Sequence, residues 1–105
     1  MSTNCVEIAT FKLANGVTEA DFLEQNEHFM AYIKAQPGLL YRSVSKHAGS
    51  GVYTDLVYWN TLEDAKRVQA AFAHEQVCQQ FAELIDKDSL SLTLTEVVAQ
   101  TPCSE

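Results

Sequence analysis

The chain has 105 residues, with 14 acidic and 7 basic side chains, a net charge of −7, and 47% of its residues apolar. That is one domain's worth of chain, and its charge repels phosphate backbones and anionic lipid headgroups, so neither nucleic acid nor a membrane surface is an expected partner. No apolar run is long enough to span a bilayer, and the opening residues lack a basic start followed by an apolar run, so the expected location is cytoplasmic.

"CVEIATFKL" (5–13) is rich in strand formers and predicts a first strand. After the turn "ANG", the segment "VTEADFLEQNEHFMAYIKA" predicts a helix. Thr18 is its expected N-cap, with Asp21 completing a capping box. Phe22, Leu23, Phe29, Met30 and Ile33 recur at helical spacing as its apolar stripe. "QPG" (36–38) ends the helix. "LLYRSVSKH" and "VYTDLVYW" are then two strands joined by the hairpin turn "AGSG". Thr61 and Asp64 repeat the capping pattern and open "LEDAKRVQAAFAH", with Ala65, Val68 and Phe72 as its core face. A further helical segment carries Val77, Phe81, Leu84 and Ile85 on one side, and "KDS" breaks it. "SLSLTLTEVV" alternates Leu90, Leu92 and Leu94 against Ser91, Thr93 and Thr95, a fourth strand. "AQTPCSE" is a loose tail.

The order β-α-β-β-α-β is the split βαβ pattern of ferredoxin-like α+β folds, a four-stranded antiparallel sheet with its helices on one face. The third strand is apolar on both sides, with Val57 and Trp59 on one and Val52, Leu56 and Tyr58 on the other. A helix-free face of that kind needs a cover, and a second copy of the same sheet is the economical one.

The element order together with "GVTEADFL", "QPGLLYR" and "DLVYWNTLEDA" resembles the antibiotic biosynthesis monooxygenase-like family over about 5–98 of the chain. The resemblance implies one domain over 1–105 with the dimeric α+β barrel architecture. It also implies a cofactor-independent monooxygenase acting on a small aromatic or phenolic compound. The haem-degrading branch of that family uses an Asn, a Trp and a His where this chain has Ala9, Val68 and Cys78, so haem degradation is not expected. A non-catalytic small-molecule binder or sensor dimer of the same fold is the alternative.

Asn26 lies at the centre of the first helix's apolar stripe. A buried amide costs free energy unless it is paired, so it either finds a backbone partner or water, or it binds a ligand oxygen. Trp59 shares a strand face with Asp55 and Tyr53 and either fills the strand-to-helix junction or walls a pocket for a planar ligand. Glu7, Arg42 and Asp55 come from three strands and can form a buried ion cluster at a dimer interface; the other reading has Arg42 holding a substrate oxyanion. His47, at the end of the second strand, is either exposed or an acid or base at a pocket mouth. The expected site is thus His47 and Arg42 as catalytic residues, with Asn26, Trp59, Asp55 and Tyr53 binding substrate. No metal-ligand spacing is present, and no cofactor is expected. Cys5, Cys78 and Cys103 are odd in number and widely spaced, which fits reduced thiols.

Overall fold

Residues 3–101 are described by the structure, a computed structural model, and they follow the expected order. The elements are β1 (Cys5–Phe11), α1 (Glu19–Lys34), β2 (Leu39–His47), β3 (Val52–Trp59), α2 (Leu62–Phe72), α3 (Gln76–Ala82), a single 3-10 turn (Lys87–Ser89) and β4 (Ser91–Glu96). The four strands form one antiparallel sheet in the order β2-β3-β1-β4, the ferredoxin-like arrangement. Cys103 lies outside the described residues. No helix among the described residues is long and apolar enough to cross a membrane.

Local chemistry sets the boundaries. At α1 the Thr18 hydroxyl accepts the Asp21 N–H at 3.1 Å, and the Asp21 carboxylate accepts the Thr18 N–H at 3.1 Å. This is the expected reciprocal cap. Thr61 caps α2 in the same way through the Asp64 N–H, but here the Asp64 carboxylate accepts the Thr61 hydroxyl instead of its backbone. That carboxylate sits against Gly38, which has φ +88°, and a Cβ there would collide with it. Only glycine satisfies both the left-handed backbone and the close approach.

In β3 the alternation is complete. Tyr53, Asp55, Val57 and Trp59 are buried under the helices, while Val52, Thr54, Leu56 and Tyr58 are half-buried on the opposite face. Register carries the same division across the sheet. Asp55 pairs with Ala9, which pairs with Leu92, and Val57 pairs with Glu7, which pairs with Leu94. The helix-side layer holds Phe11, Phe22, Phe29, Phe81, Trp59 and Ile33 in one cluster, in which Phe29 stacks on Phe81 at 4.3 Å between centroids.

Three expectations change. Leu23 is 52% exposed, because the buried stripe of α1 runs through Phe22, Phe29 and Ile33 and Leu23 is rotated off it. The last helical segment ends at Ala82, so Leu84 and Ile85 lie beyond it, while "KDS" forms a 3-10 turn held by Asp86, whose carboxylate accepts the Asp88 N–H. The fourth strand is shorter than "SLSLTLTEVV", running over Ser91–Glu96, so Leu90 precedes it; Leu90 and Leu92 are 44% exposed at this edge of the sheet.

Candidate functional site

α2 and α3 do not close fully onto the sheet. Between them and β1, β3 and β4 lies a cavity of about 680 Å³. Its walls are apolar: Phe29, Ile33, Val68, Phe72, Phe81 and Ile85 from the helical side, and Ala9, Phe11, Val57 and Leu92 from the sheet. Small residues leave the room, with Ala70 and Ala82 on the helices and Ala9 on the floor. The polar groups on that floor are two carboxylates, Glu7 and Asp55.

The two acids have different partners. Asp55 is held by Arg42 in a two-pronged ion pair, with Nε to Oδ1 at 3.0 Å and Nη2 to Oδ2 at 2.8 Å. The Arg42 side chain is 1% exposed, lies 4.8 Å from the Phe29 ring centre and 5.5 Å from that of Phe81, and does not border the cavity. The guanidinium is therefore a buried support for Asp55, with apolar rings over its face. Glu7 accepts the Trp59 indole N–H at 2.9 Å. Burial pushes the Glu7 carboxyl above its usual range; the Trp59 hydrogen bond opposes that shift and the nearby Asp55 charge reinforces it. An acid in an apolar recess, shifted towards neutral pH, is suited to exchanging a proton with a bound ligand.

The structure divides the residues expected at one site among four places. Asp55 is on the cavity floor. Trp59 is fully buried, fills the junction between β3 and α2, and meets the site only through Glu7. Asn26 and Tyr53 lie in a separate, shallower hollow of about 290 Å³ between α1 and the β2–β3 pair. There the Tyr53 hydroxyl donates to Glu19 Oε1 at 2.8 Å, and Lys46 reaches the same oxygen at 2.6 Å. The Asn26 Oδ1 is buried without a hydrogen-bond partner. His47 is exposed in the β2–β3 hairpin, its Nδ1 2.9 Å from Ser50 Oγ, and it borders neither hollow.

The ion cluster also sits elsewhere than expected. Glu7, Arg42 and Asp55 share the parity of the buried Val57 and Trp59, so they lie on the helix side, inside the subunit, and not on the open face of the sheet. Glu7 was read from the sequence only as a member of the ion cluster and not as a residue of the site; the signal that places it there is an acid on β1 between the buried Cys5 and Phe11. Among the described residues, no group of three or more His, Cys, Asp or Glu side chains is placed to hold a metal ion.

No protein-family model matches the chain, and no curated protein matches it in sequence. Solved structures do match it in shape. A variant of SnoaB, a cofactor-independent oxygenase from Streptomyces nogalater, superposes with a TM-score of 0.79 at 14% identity, covering 96% of this chain and 99% of that one. A heme-degrading protein from Mycobacterium tuberculosis, in a heme-free structure, gives 0.68 at 18% identity, covering 98% and 100%. A candidate antibiotic biosynthesis monooxygenase from Chloroflexus aurantiacus gives 0.65 at 15%, covering 95% and 98%. The chain thus has the ferredoxin-like α+β fold found in these antibiotic biosynthesis monooxygenase-like structures.

Proposed function

We propose that this chain is a cofactor-independent, monooxygenase-like enzyme whose substrate is a small phenolic aromatic compound bound in the cavity between the helices and the sheet. The observation that carries the reading is the cavity itself: about 680 Å³, walled by aromatic and aliphatic side chains, with the Glu7 carboxyl on its floor. Aromatic walls bind a planar apolar body. Burial raises the Glu7 pKa, which makes its carboxylate a stronger base than a solvated one and suits it to take a phenol proton.

Glu7 receives the hydroxyl proton, and the electron pair delocalises onto a ring carbon. That carbon forms a bond to dioxygen and loses its hydrogen. The O–O bond breaks, one oxygen stays as a carbonyl and the other leaves as water. The four electrons that dioxygen takes come from the substrate, so phenol and dioxygen give quinone and water without an external reductant. Trp59 fixes the Glu7 carboxylate by its indole N–H, and Arg42 holds Asp55 in place.

An oxygen electrode tests this with a panel of naphthols and anthrone-type phenols. The expected result is protein-dependent oxygen uptake, one dioxygen per quinone formed, falling by a factor of ~100 or more in Glu7→Gln. The alternative reading, a non-catalytic binder, is favoured by one feature: the floor presents acceptors, because the Arg42 and Trp59 donors are already committed to carboxylates. Ligand-induced thermal stabilisation without oxygen uptake would select it.

The open face of the sheet supports a homodimer. It carries Val6, Ile8, Leu56, Tyr58 and Tyr41 among Ser and Thr residues, with His47 at the hairpin end, and no Asp, Glu, Lys or Arg among the described strand residues. Two chains of charge −7 repel one another, and an uncharged, apolar face is where identical copies can meet. The buried free thiols of Cys5 and Cys78 are in keeping with a reducing, cytoplasmic setting.

A further inference from the structure

The walls and floor of the cavity account for the apolar body and hydroxyl of a ligand. Its mouth carries a different chemistry. Two lysines border the cavity: Lys66, from the second turn of α2, and Lys87, from the 3-10 turn before β4. Both are exposed, and neither forms an ion pair among the described residues. The neighbouring Asp86 gives its carboxylate to the backbone N–H of Asp88. The turn that carries Lys87 is fixed against β1, because the Lys12 N–H donates to Ser89 Oγ at 2.8 Å and the Asp86 N–H to the Lys12 carbonyl at 2.9 Å. Lys87 thus borders the cavity from an anchored turn and Lys66 borders it from α2, with Leu90 and Leu92 in the same lining.

The charge pattern is unusual for this molecule. The chain has only 7 basic residues against 14 acidic ones, yet two unpaired ammonium groups flank the entrance to a cavity whose floor is acidic. Such an arrangement has a direction. The floor rejects an anionic group and accepts a hydroxyl; the mouth attracts an anion that the rest of the surface repels. We infer that the cavity's ligand is an anionic amphiphile, a planar hydroxyaromatic acid that enters hydroxyl first, sets its hydroxyl on Glu7 and leaves its carboxylate at the mouth between Lys66 and Lys87. This rests on the cavity being the substrate site, as proposed above, and narrows the substrate class from phenols to phenolic acids.

Calorimetric titration of the full chain at pH 7 with 6-hydroxy-2-naphthoic acid and with 2-naphthol tests it, since the two share a body and a hydroxyl and differ in the carboxylate. The acid should bind about tenfold more tightly in low salt, from two partly solvated ion pairs. The ratio should fall towards one in 1 M salt, where charges are screened within about 3 Å. It should also fall towards one in the Lys66→Gln/Lys87→Gln variant, whose affinity for 2-naphthol should not change. A matching thermal melt would show that the variant is folded. Equal affinities in the wild type, or a preference that the variant retains, would overturn the inference and leave the substrate site standing. Binding of neither compound would overturn both.

Discussion

Arg42→Leu removes the guanidinium and leaves the Asp55 carboxylate buried beside Glu7. Two hydrogen bonds of 3.0 and 2.8 Å are lost, with the stacking of the guanidinium on Phe29 and Phe81. Breaking a buried pair from one side costs about 3–5 kcal/mol, mostly for the charge left without a partner. A domain of this length has an unfolding entropy of roughly 0.2 kcal/mol per degree, so the melting midpoint should drop by roughly 15–25 °C. Asp55→Leu should cost less, because the stranded guanidinium still has Glu7, whose carboxyl feels both charges. In the double variant neither charge remains, and the loss should be at least ~2 kcal/mol smaller than the sum of the two single losses. Urea unfolding followed by far-UV circular dichroism, at one fixed protein concentration, measures all four proteins. A loss under 1 kcal/mol for Arg42→Leu, or strict additivity in the double variant, would show that the pair is not a coupled buried unit.

Glu7→Gln keeps an acceptor for the Trp59 indole and removes the titration. Because the folded-state pKa of Glu7 is raised, its contribution to stability is fully present below the unfolded value of about 4.3 and is lost as pH rises through the folded value. The variant should therefore match the wild type near pH 4 and exceed it at pH 7; a stability difference that does not grow with pH would contradict the assignment. Asn26→Leu deletes an orphaned carbonyl oxygen and adds a better helix former, so the melt should show a gain of about 1–2 kcal/mol, and a loss would mean that the amide has a partner. Leu56→Lys places a charge on the open face and should shift sedimentation from dimer to monomer, whereas an unchanged mass would remove that face as the interface. Burial pushes the Cys78 thiol up to about 11, so it should resist alkylation at pH 7 until the protein is unfolded, and rapid native-state labelling of Cys78 would refute this.

The bounds of β2 and β3 were legible in the sequence because a glycine-containing turn separates two alternating runs, and the Thr18 and Thr61 caps because they depend on residues three apart. Asn26 was legible as a misfit in an apolar stripe, and among the described residues its Oδ1 has no hydrogen-bond partner. What could not be read was anything set by register. Which side of the sheet Glu7, Arg42 and Asp55 share follows from how β1, β2 and β3 align, and no single strand states it. The alternation around Leu92 marked a strand but not its place, because alternation does not distinguish a central strand from an edge. Tyr53 was grouped with Asp55 and Trp59 by strand face and Asn26 by its place in the α1 stripe, but Asn26 and Tyr53 border a hollow between α1 and the β2–β3 pair, whereas Asp55 borders the cavity under α2 and α3.

The sheet is a single backbone layer with a cavity on one side and a face free of Asp, Glu, Lys and Arg strand residues on the other, and β1 supplies residues to both in turn. Glu7, Ala9 and Phe11 border the cavity, while Val6, Ile8 and Thr10 belong to the open face. Point changes at one set can therefore reshape the cavity lining without touching the other face, which lets the two surfaces vary independently. Insertions have no such freedom. One extra residue early in β1 would turn the Glu7 carboxylate out onto the open face and drive the aliphatic chains of Val6 and Ile8 into the cavity floor, erasing both surfaces in a single event.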